Sequence, residues 1–151
     1  MVKEIKIQNY KSVQDLTLEL GRINVLIGAN GCGKSNILEA IAFGSAAAED
    51  KLGKEFLSAR GIRVTEPEAM RSGFNKVNLS KAISLKIMFD TDVYFFEIDN
   101  KNEAFSDWER IVVTPTNGNS ISNNLDKLSQ LINNSGLIDN KFNREEKDKI
   151  I

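Results

Sequence analysis

The residues best suited to chemistry in this chain lie at positions 28–35, which read Gly-Ala-Asn-Gly-Cys-Gly-Lys-Ser. This spacing of glycines before a lysine and a hydroxyl residue fits a phosphate-binding (Walker A) loop. Glycine allows positive φ and lets the main chain approach phosphate oxygens that a Cβ would obstruct. Lys34 can bridge β- and γ-phosphates, and the Ser35 hydroxyl can ligate Mg²⁺. The pattern therefore predicts a site for ATP and Mg²⁺.

The predicted site extends slightly beyond the loop. Its phosphate-binding residues are Gly28, Asn30, Gly31, Cys32, Gly33, Lys34, Ser35 and Asn36, with Ser35 also predicted as the Mg²⁺ ligand. For Cys32, the simpler interpretation is a small residue at a variable loop position. A redox role is the alternative, because amides at a helix N-terminus can lower a thiol pKa. For the whole motif, the alternative is a degenerate loop that no longer binds nucleotide.

Two elements must position this loop. Residues 23–27, Ile-Asn-Val-Leu-Ile, are apolar and β-branched, which predicts a buried parallel strand before the loop. After the loop, apolar residues at 37, 38 and 41 predict a helix with one buried stripe, ending between 46 and 50. A strand, a glycine-rich loop and a helix gather backbone N–H groups and the positive end of the helix dipole around one volume.

Most of the other patterned segments predict antiparallel strands. Alternation near residues 5–8 and 16–20 predicts two half-buried strands joined by a connection over 9–15. Alternation at 83–89 and a return at 93–98 predict a hairpin that turns at 90–92. A third strand is predicted at 108–114.

The remaining segments are less regular. Residues 51–82 are ambiguous, with a short helix near Phe56 and Leu57 and an extended piece at 61–65. Residues 115–151 are predicted as a flexible segment with short helices, one over 125–132. The charged residues at 141–151 resemble the start of another helix, so we expect the chain to be one incomplete domain over 1–151.

Composition limits the function classes. With 151 residues, 20 basic and 21 acidic side chains and a net charge of −1, the chain shows no global attraction to nucleic acid or anionic membrane. No apolar run approaches the roughly 20 residues of a membrane span. The single cysteine excludes an internal disulfide, and the lack of histidine excludes imidazole metal sites. We expect a cytoplasmic protein without a membrane partner.

The opening of the chain also carries a family resemblance. Residues 5–12 read Ile-Lys-Ile-Gln-Asn-Tyr-Lys-Ser, and a predicted strand and the phosphate loop follow. This order resembles the N-terminal part of SMC/RecF-like ABC-type ATPase heads, most of all AAA_21/OLD-like AAA family ATPases of bacterial DNA-maintenance and anti-phage systems. The match is specific over about residues 2–43 and rests on arrangement alone over 83–114. It implies an α/β P-loop NTPase fold, as an ABC-ATPase-like N-terminal lobe with an antiparallel β-subdomain.

The resemblance implies a nucleotide-gated switch in DNA repair or anti-phage defence. Two heads of that family enclose two ATP molecules, so a second head in a homodimer, or a partner protein, would supply missing elements. By position, Asn30 would lie near the γ-phosphate and Lys11 would approach the nucleotide, whereas both are otherwise ordinary turn residues. DNA is implied as a partner by family analogy alone.

The departures from the family limit the enzymatic prediction. Hydrolysis needs an aspartate on Mg²⁺ and a group that positions water, yet no Leu-Ser-Gly-Gly-type signature or acidic Walker B strand stands out in this sequence. We therefore expect ATP binding without competent turnover, and no catalytic residue is identified. A non-catalytic nucleotide-binding or assembly module and a small P-loop phosphotransferase stay open as alternatives. Minor candidates for nucleotide or partner contacts are Arg60, Arg63, Arg71, Phe95, Phe96 and Trp108, for which a surface or core role is the alternative.

Overall fold

The computed structural model describes residues 1–90, 92–103 and 106–115. The strands are β1 (Val2–Tyr10), β2 (Val13–Glu19), β3 (Ile83–Phe89), β4 (Val93–Asp99) and β5 (Glu109–Pro115). The helices are α1 (Lys34–Ala48), α2 (Lys54–Ala59) and α3 (Pro67–Met70), with a 3₁₀ helix at Lys76–Ser80. The helix predicted at 125–132 and the rest of 116–151 lie outside the described residues.

All five strands form one antiparallel sheet in the order β2-β1-β3-β4-β5. The two predicted hairpins and the third strand are confirmed. The two hairpins join through β1 and β3, where Ile7 faces Leu85 across the ladder, and Leu85 in turn faces Phe96. Their apolar side chains share one buried face, as the period-two pattern requires. The β1–β2 connection is shorter than predicted, because only Lys11 and Ser12 separate the two strands.

Helix α1 packs on this buried face. Gly44 allows the close approach, since a Cβ there would lie 3.1 Å from the Leu85 side chain. Phe43 packs between two aromatic rings, with centroids 5.8 Å from Tyr10 and 5.4 Å from Trp108. The predicted single stripe is only partly right. Every residue from 39 to 48 is buried while Leu38 is exposed, because apolar residues of the segment 52–70 join the same core.

The predicted strand at residues 23–27 is wrong for the described chain. These residues form no regular secondary structure, and Ile23 and Ile27 are 87% and 90% exposed. A buried parallel strand needs ladder partners and cover on both faces, whereas the described strands pair only with one another. The structure thus shows an antiparallel sheet with few helices and does not confirm the complete P-loop NTPase fold.

The segment between α1 and β3 is now defined. Helix α2 confirms the short helix predicted near Phe56, while residues 62–66 form no regular secondary structure, so the extended piece at 61–65 is not a strand. Within the described residues, no helix has the length and apolar character required to cross a bilayer.

A fully buried arginine fixes the 3₁₀ helix and the β4 end to α3. The side chain of Arg71 is 0% exposed, and its guanidinium stacks on Trp108 with 5.0 Å between Cζ and the ring centroid. It donates to the carbonyls of Lys81 (2.9 Å) and Asn100 (2.7 Å), and to the side chains of Asp99 (2.6 Å) and Asn102. Arg71 is therefore a core residue, which argues against the predicted nucleotide contact.

We expect Arg71→Lys to lower the free energy of unfolding by on the order of 3 kcal/mol, because the ammonium of a lysine buried at this position cannot satisfy the four separated acceptors of the guanidinium. Urea unfolding followed by tryptophan fluorescence measures the change at Trp108 itself. Arg22→Lys, at an exposed position, is the control and should leave stability within about 0.5 kcal/mol. Equal stabilities for the two variants would contradict this role of Arg71.

Candidate functional site

Two glycines of the loop adopt a conformation in which a side chain would be strained. Gly31 and Gly33 adopt φ of 82° and 97°, a left-handed conformation that other residues rarely adopt. A Cβ on Gly33 would lie 2.8 Å from the Ser12 Oγ, and one on Gly28 would lie 2.6 Å from the Cys32 Sγ. The loop is thus folded tightly against the β1–β2 turn as well as against itself.

The N-terminus of α1 is open. Its first internal hydrogen bond runs from the Ile37 N–H to the Gly33 carbonyl, at 3.1 Å. The backbone N–H groups of Lys34, Ser35 and Asn36 have no protein acceptor within the described residues, as expected for the first turn of a helix. Neither a capping side chain nor an acidic residue of the first turn satisfies them. These amides and the positive end of the dipole are therefore available to an anion.

The Lys34 side chain folds back over the loop. Its Nζ donates to the carbonyls of Gly28 and Ala29, both at 2.7 Å, and lies 3.6 Å from the Cys32 Sγ. The ammonium is consequently bound to carbonyls of the loop instead of extending into solvent. Asn30 and Ser35 are exposed beside it, and Cys32 is an exposed free thiol.

The β1–β2 turn is fixed by three side chains, each bound to a different part of the molecule. The buried Asn9 donates to the carbonyls of Asn78 (2.8 Å) and Lys81 (2.9 Å), which holds the segment before β3. Tyr10 packs into the core. Ser12 Oγ accepts a 2.7 Å hydrogen bond from the Asn36 side chain on α1. The turn therefore places Lys11 beside the first turns of α1.

Lys11 and Arg63 meet on one carboxylate, that of Glu39. The Lys11 ammonium pairs with Glu39 Oε2 and also donates to the Arg63 carbonyl at 2.8 Å. The Arg63 Nε donates to Glu39 Oε1 at 2.7 Å, and its Nη2 donates to the Asn36 side-chain oxygen at 3.2 Å. Glu39 is only 8% exposed. One buried acid thus links the turn, α1 and the segment before α3.

This arrangement shifts two pKa values. Burial alone would raise the pKa of Glu39, but the hydrogen bonds and charges of Lys11 and Arg63 outweigh it and lower that pKa below its ordinary value of 4.5. Burial, together with the nearby Glu39 carboxylate, raises the pKa of Tyr10 far above its ordinary value. Glu39 is therefore charged at neutral pH, and Tyr10 is neutral.

A groove of about 860 Å³ lies beside the loop. Its lining includes Lys11, Ser12, Asn36, Arg63, Thr65 and Phe74. Its size is that of pockets that hold small organic ligands, and it begins where Ser12 and Asn36 meet.

The other minor candidates lie elsewhere. Arg60 binds Glu49 at the far end of α1, at 2.7 Å, and Phe96 and Trp108 are buried in the core. Glu39 was not predicted from the sequence. The signal that could have found it is an acidic residue between Leu38 and Ala40, in the middle of an otherwise apolar helix.

Comparison with known proteins agrees with the family resemblance stated above. An uncharacterized protein of Methanocaldococcus jannaschii is 30% identical over 132 residues, which are 83% of this chain and 59% of that protein. A DNA double-strand break repair Rad50 ATPase of Sulfolobus acidocaldarius is 49% identical over 45 residues, 29% of this chain and 5% of that protein. An OLD nuclease of Thermus scotoductus is 29% identical over 90 residues, 60% of this chain and 15% of that protein.

The chain thus spans well under two thirds of the length of each of these relatives. The AAA ATPase domain family matches it over residues 1–150, almost its whole length. The resemblance to the N-terminal part of SMC/RecF-like AAA ATPases is confirmed, and the chain belongs to the AAA ATPase domain family.

Proposed function

We propose that this chain binds ATP with Mg²⁺ through residues 28–36, as the ATP-binding part of a nucleotide-gated switch. The observation that carries the proposal is the open N-terminus of α1, which directly follows a glycine-rich loop whose carbonyls bind the Lys34 ammonium. Membership of the AAA ATPase domain family supports the choice of a nucleotide over other anions.

The residues present fit the nucleotide and its metal. Gly31 and Gly33 keep Cβ atoms away from the volume in front of the amides, and Ser35 offers a hydroxyl on the first turn of α1. Within the described residues, no cluster of three or more His, Cys, Asp or Glu side chains could hold a metal alone. A Mg²⁺ ion at Ser35 would accordingly share its remaining positions with phosphate oxygens and water, as Mg²⁺ commonly does.

The same proposal covers partners. Exposed apolar side chains at residues 23–27 and at Leu38 lie on the surface around a second, apolar groove, which favours assembly with further protein. We propose a second ATPase head or a partner protein as the source of the signature and acidic strand that this sequence lacks. The alternative, a non-catalytic assembly module, rests on the same exposed residues.

The biological setting is proposed from the relatives alone. A DNA double-strand break repair ATPase and an OLD nuclease are among them, so we propose a role in DNA repair or anti-phage defence, in the cytoplasm. In this setting, ATP binding would change the assembly of heads, and DNA would be contacted by the assembled protein.

Lys34→Ala should weaken ATP binding in the presence of Mg²⁺ by well over tenfold, because it removes a charged contact to phosphate. Isothermal titration calorimetry on the 151-residue chain measures the affinity. Lys54→Ala is a matched control, since Lys54 likewise follows a glycine N-cap at the first position of a helix. Equal affinities for Lys34→Ala and the parent chain would refute the assignment of this loop.

Gly33→Ala should both destabilise the loop and abolish measurable ATP binding. An alanine must adopt a φ near 97° and push against the Ser12 hydroxyl, at a cost of about 1–2 kcal/mol or more. Gly53→Ala is the control, because a Cβ at that N-cap meets no atom within 4 Å. Thermal unfolding with and without ATP checks both effects. Unchanged stabilisation by ATP in Gly33→Ala would contradict the predicted loop geometry.

A further inference from the structure

Glu39 has a position that the ATP-binding loop alone does not explain. It lies on α1 one turn beyond Ser35 and is nearly buried, yet its two oxygens each bind a different cation. Burying a carboxylate is costly unless it is paired and hydrogen-bonded. Lys11 and Arg63 come from segments far apart in sequence, so the same pairing fixes both cations beside the loop.

We propose that Glu39 is a positioning residue that holds Lys11 and Arg63 as two cationic contacts for the α-phosphate and nucleoside end of the bound nucleotide. This inference rests on the proposed ATP binding. It assigns Arg63 a contact with the ligand. The family resemblance places Lys11 near the nucleotide, and the ion pair with Glu39 would hold it in that position.

Both cations keep capacity for a ligand. Lys11 uses two of its N–H donors, one for Glu39 and one for the Arg63 carbonyl, and an ammonium has a further one. Arg63 uses its Nε and one donor of Nη2, and its side chain remains 67% exposed. Lys11 and Arg63 carry two positive charges against the one negative charge of Glu39, so the cluster itself attracts a phosphate, while Glu68 also lines the groove.

The location of Lys11 and Arg63 indicates which end of the nucleotide they would contact. Lysines at the position of Lys34 reach the β- and γ-phosphates, while the loop amides cradle the α- and β-phosphates. The groove lined by Lys11 and Arg63 joins the loop at Asn36 and extends away to Thr65 and Phe74. A nucleotide with its terminal phosphates at Lys34 would therefore have its other end in this groove.

The chain contains a matched internal comparison. Glu49, on the same helix, also pairs with one arginine and one lysine, Arg60 at 2.7 Å and Lys51 at 3.4 Å. That cluster lies at the C-terminal end of α1, away from the phosphate loop. Replacing either glutamate removes an ion-pair cluster, but only the cations paired with Glu39 line the groove of the proposed ligand.

The test compares the affinities of ATP and inorganic pyrophosphate, each with Mg²⁺, for the parent chain, Glu39→Gln and Glu49→Gln. Calorimetry should show that Glu39→Gln binds ATP about fivefold to tenfold more weakly, consistent with disturbed charged hydrogen bonds. Binding of pyrophosphate should change less than about twofold, because it matches the β- and γ-phosphates and has neither an α-phosphate nor a nucleoside. Glu49→Gln should bind both ligands like the parent chain.

The double-mutant cycle separates positioning from simple structural damage. In a Lys11→Met/Arg63→Met background, Glu39→Gln should cause no further loss of ATP affinity, because no cation remains to be positioned. An undiminished loss in that background, an equal loss for ATP and pyrophosphate, or unchanged or tighter ATP binding by Glu39→Gln would each overturn the proposal.

Two further outcomes are decisive. If Glu39→Gln does not fold, Arg63→Met carries the test because that side chain is mostly exposed. It should weaken ATP binding about fivefold, and parent-like ATP affinity would overturn the inference. If ATP binding in the parent chain is absent or independent of Lys34, the proposed function itself fails. If Lys34 matters but Glu39 and Arg63 do not, only the present inference fails.

Discussion

The packing of the β1–β2 turn against the start of α1 is the constraint on which the candidate site depends. The Ser12 hydroxyl lies so close to Gly33 that a Cβ there would be only 2.8 Å away. The same hydroxyl accepts a hydrogen bond from the side chain of Asn36, in the first turn of α1. The antiparallel sheet therefore determines the conformation of the loop directly. Without this contact, neither the positive φ of Gly33 nor the position of Lys11 would be fixed.

This constraint explains why four consecutive residues, Asn9 to Ser12, have such different roles. Two of them, Asn9 and Lys11, have positive φ, at 62° and 46°, which allows a turn of only two residues. Such a conformation is tolerated in asparagine more easily than in most residues. Asn9 and Tyr10 face the protein interior, while Lys11 and Ser12 face α1. The turn thus connects the structural core and the candidate site without an intervening loop.

Local sequence patterns predicted the strands of the two hairpins and the glycine-rich loop. The strands around Ile7, Leu85 and Phe96 were predicted because period-two alternation is sufficient when one face packs against a helix. The phosphate loop was predicted because its glycines, lysine and serine are consecutive. In contrast, residues 23–27 were predicted as a strand from composition alone. The composition indicates that these side chains suit burial. A strand also requires hydrogen-bonded neighbouring strands, and the described residues supply none for residues 23–27.

The site was predicted only as far as its residues are contiguous. Glu39 and Arg63 are separated by 24 positions and joined by one hydrogen bond, from the Arg63 Nε to Glu39 Oε1, which no spacing rule identifies. Arg71 was misjudged for the related reason that an arginine in an irregular segment looks exposed in a sequence. Only the fold shows that Arg71 donates to the carbonyls of Lys81 and Asn100, which lie just beyond the 3₁₀ helix and β4.

Finally, the last turn of α1 is held by Arg110 of β5, which donates to the carbonyls of Ala47 at 2.7 Å and Ala48 at 3.3 Å. The β1–β2 turn holds the other end of the helix through the hydrogen bond between Asn36 and Ser12. A shift of α1 along its own axis would therefore break side-chain hydrogen bonds at both of its ends.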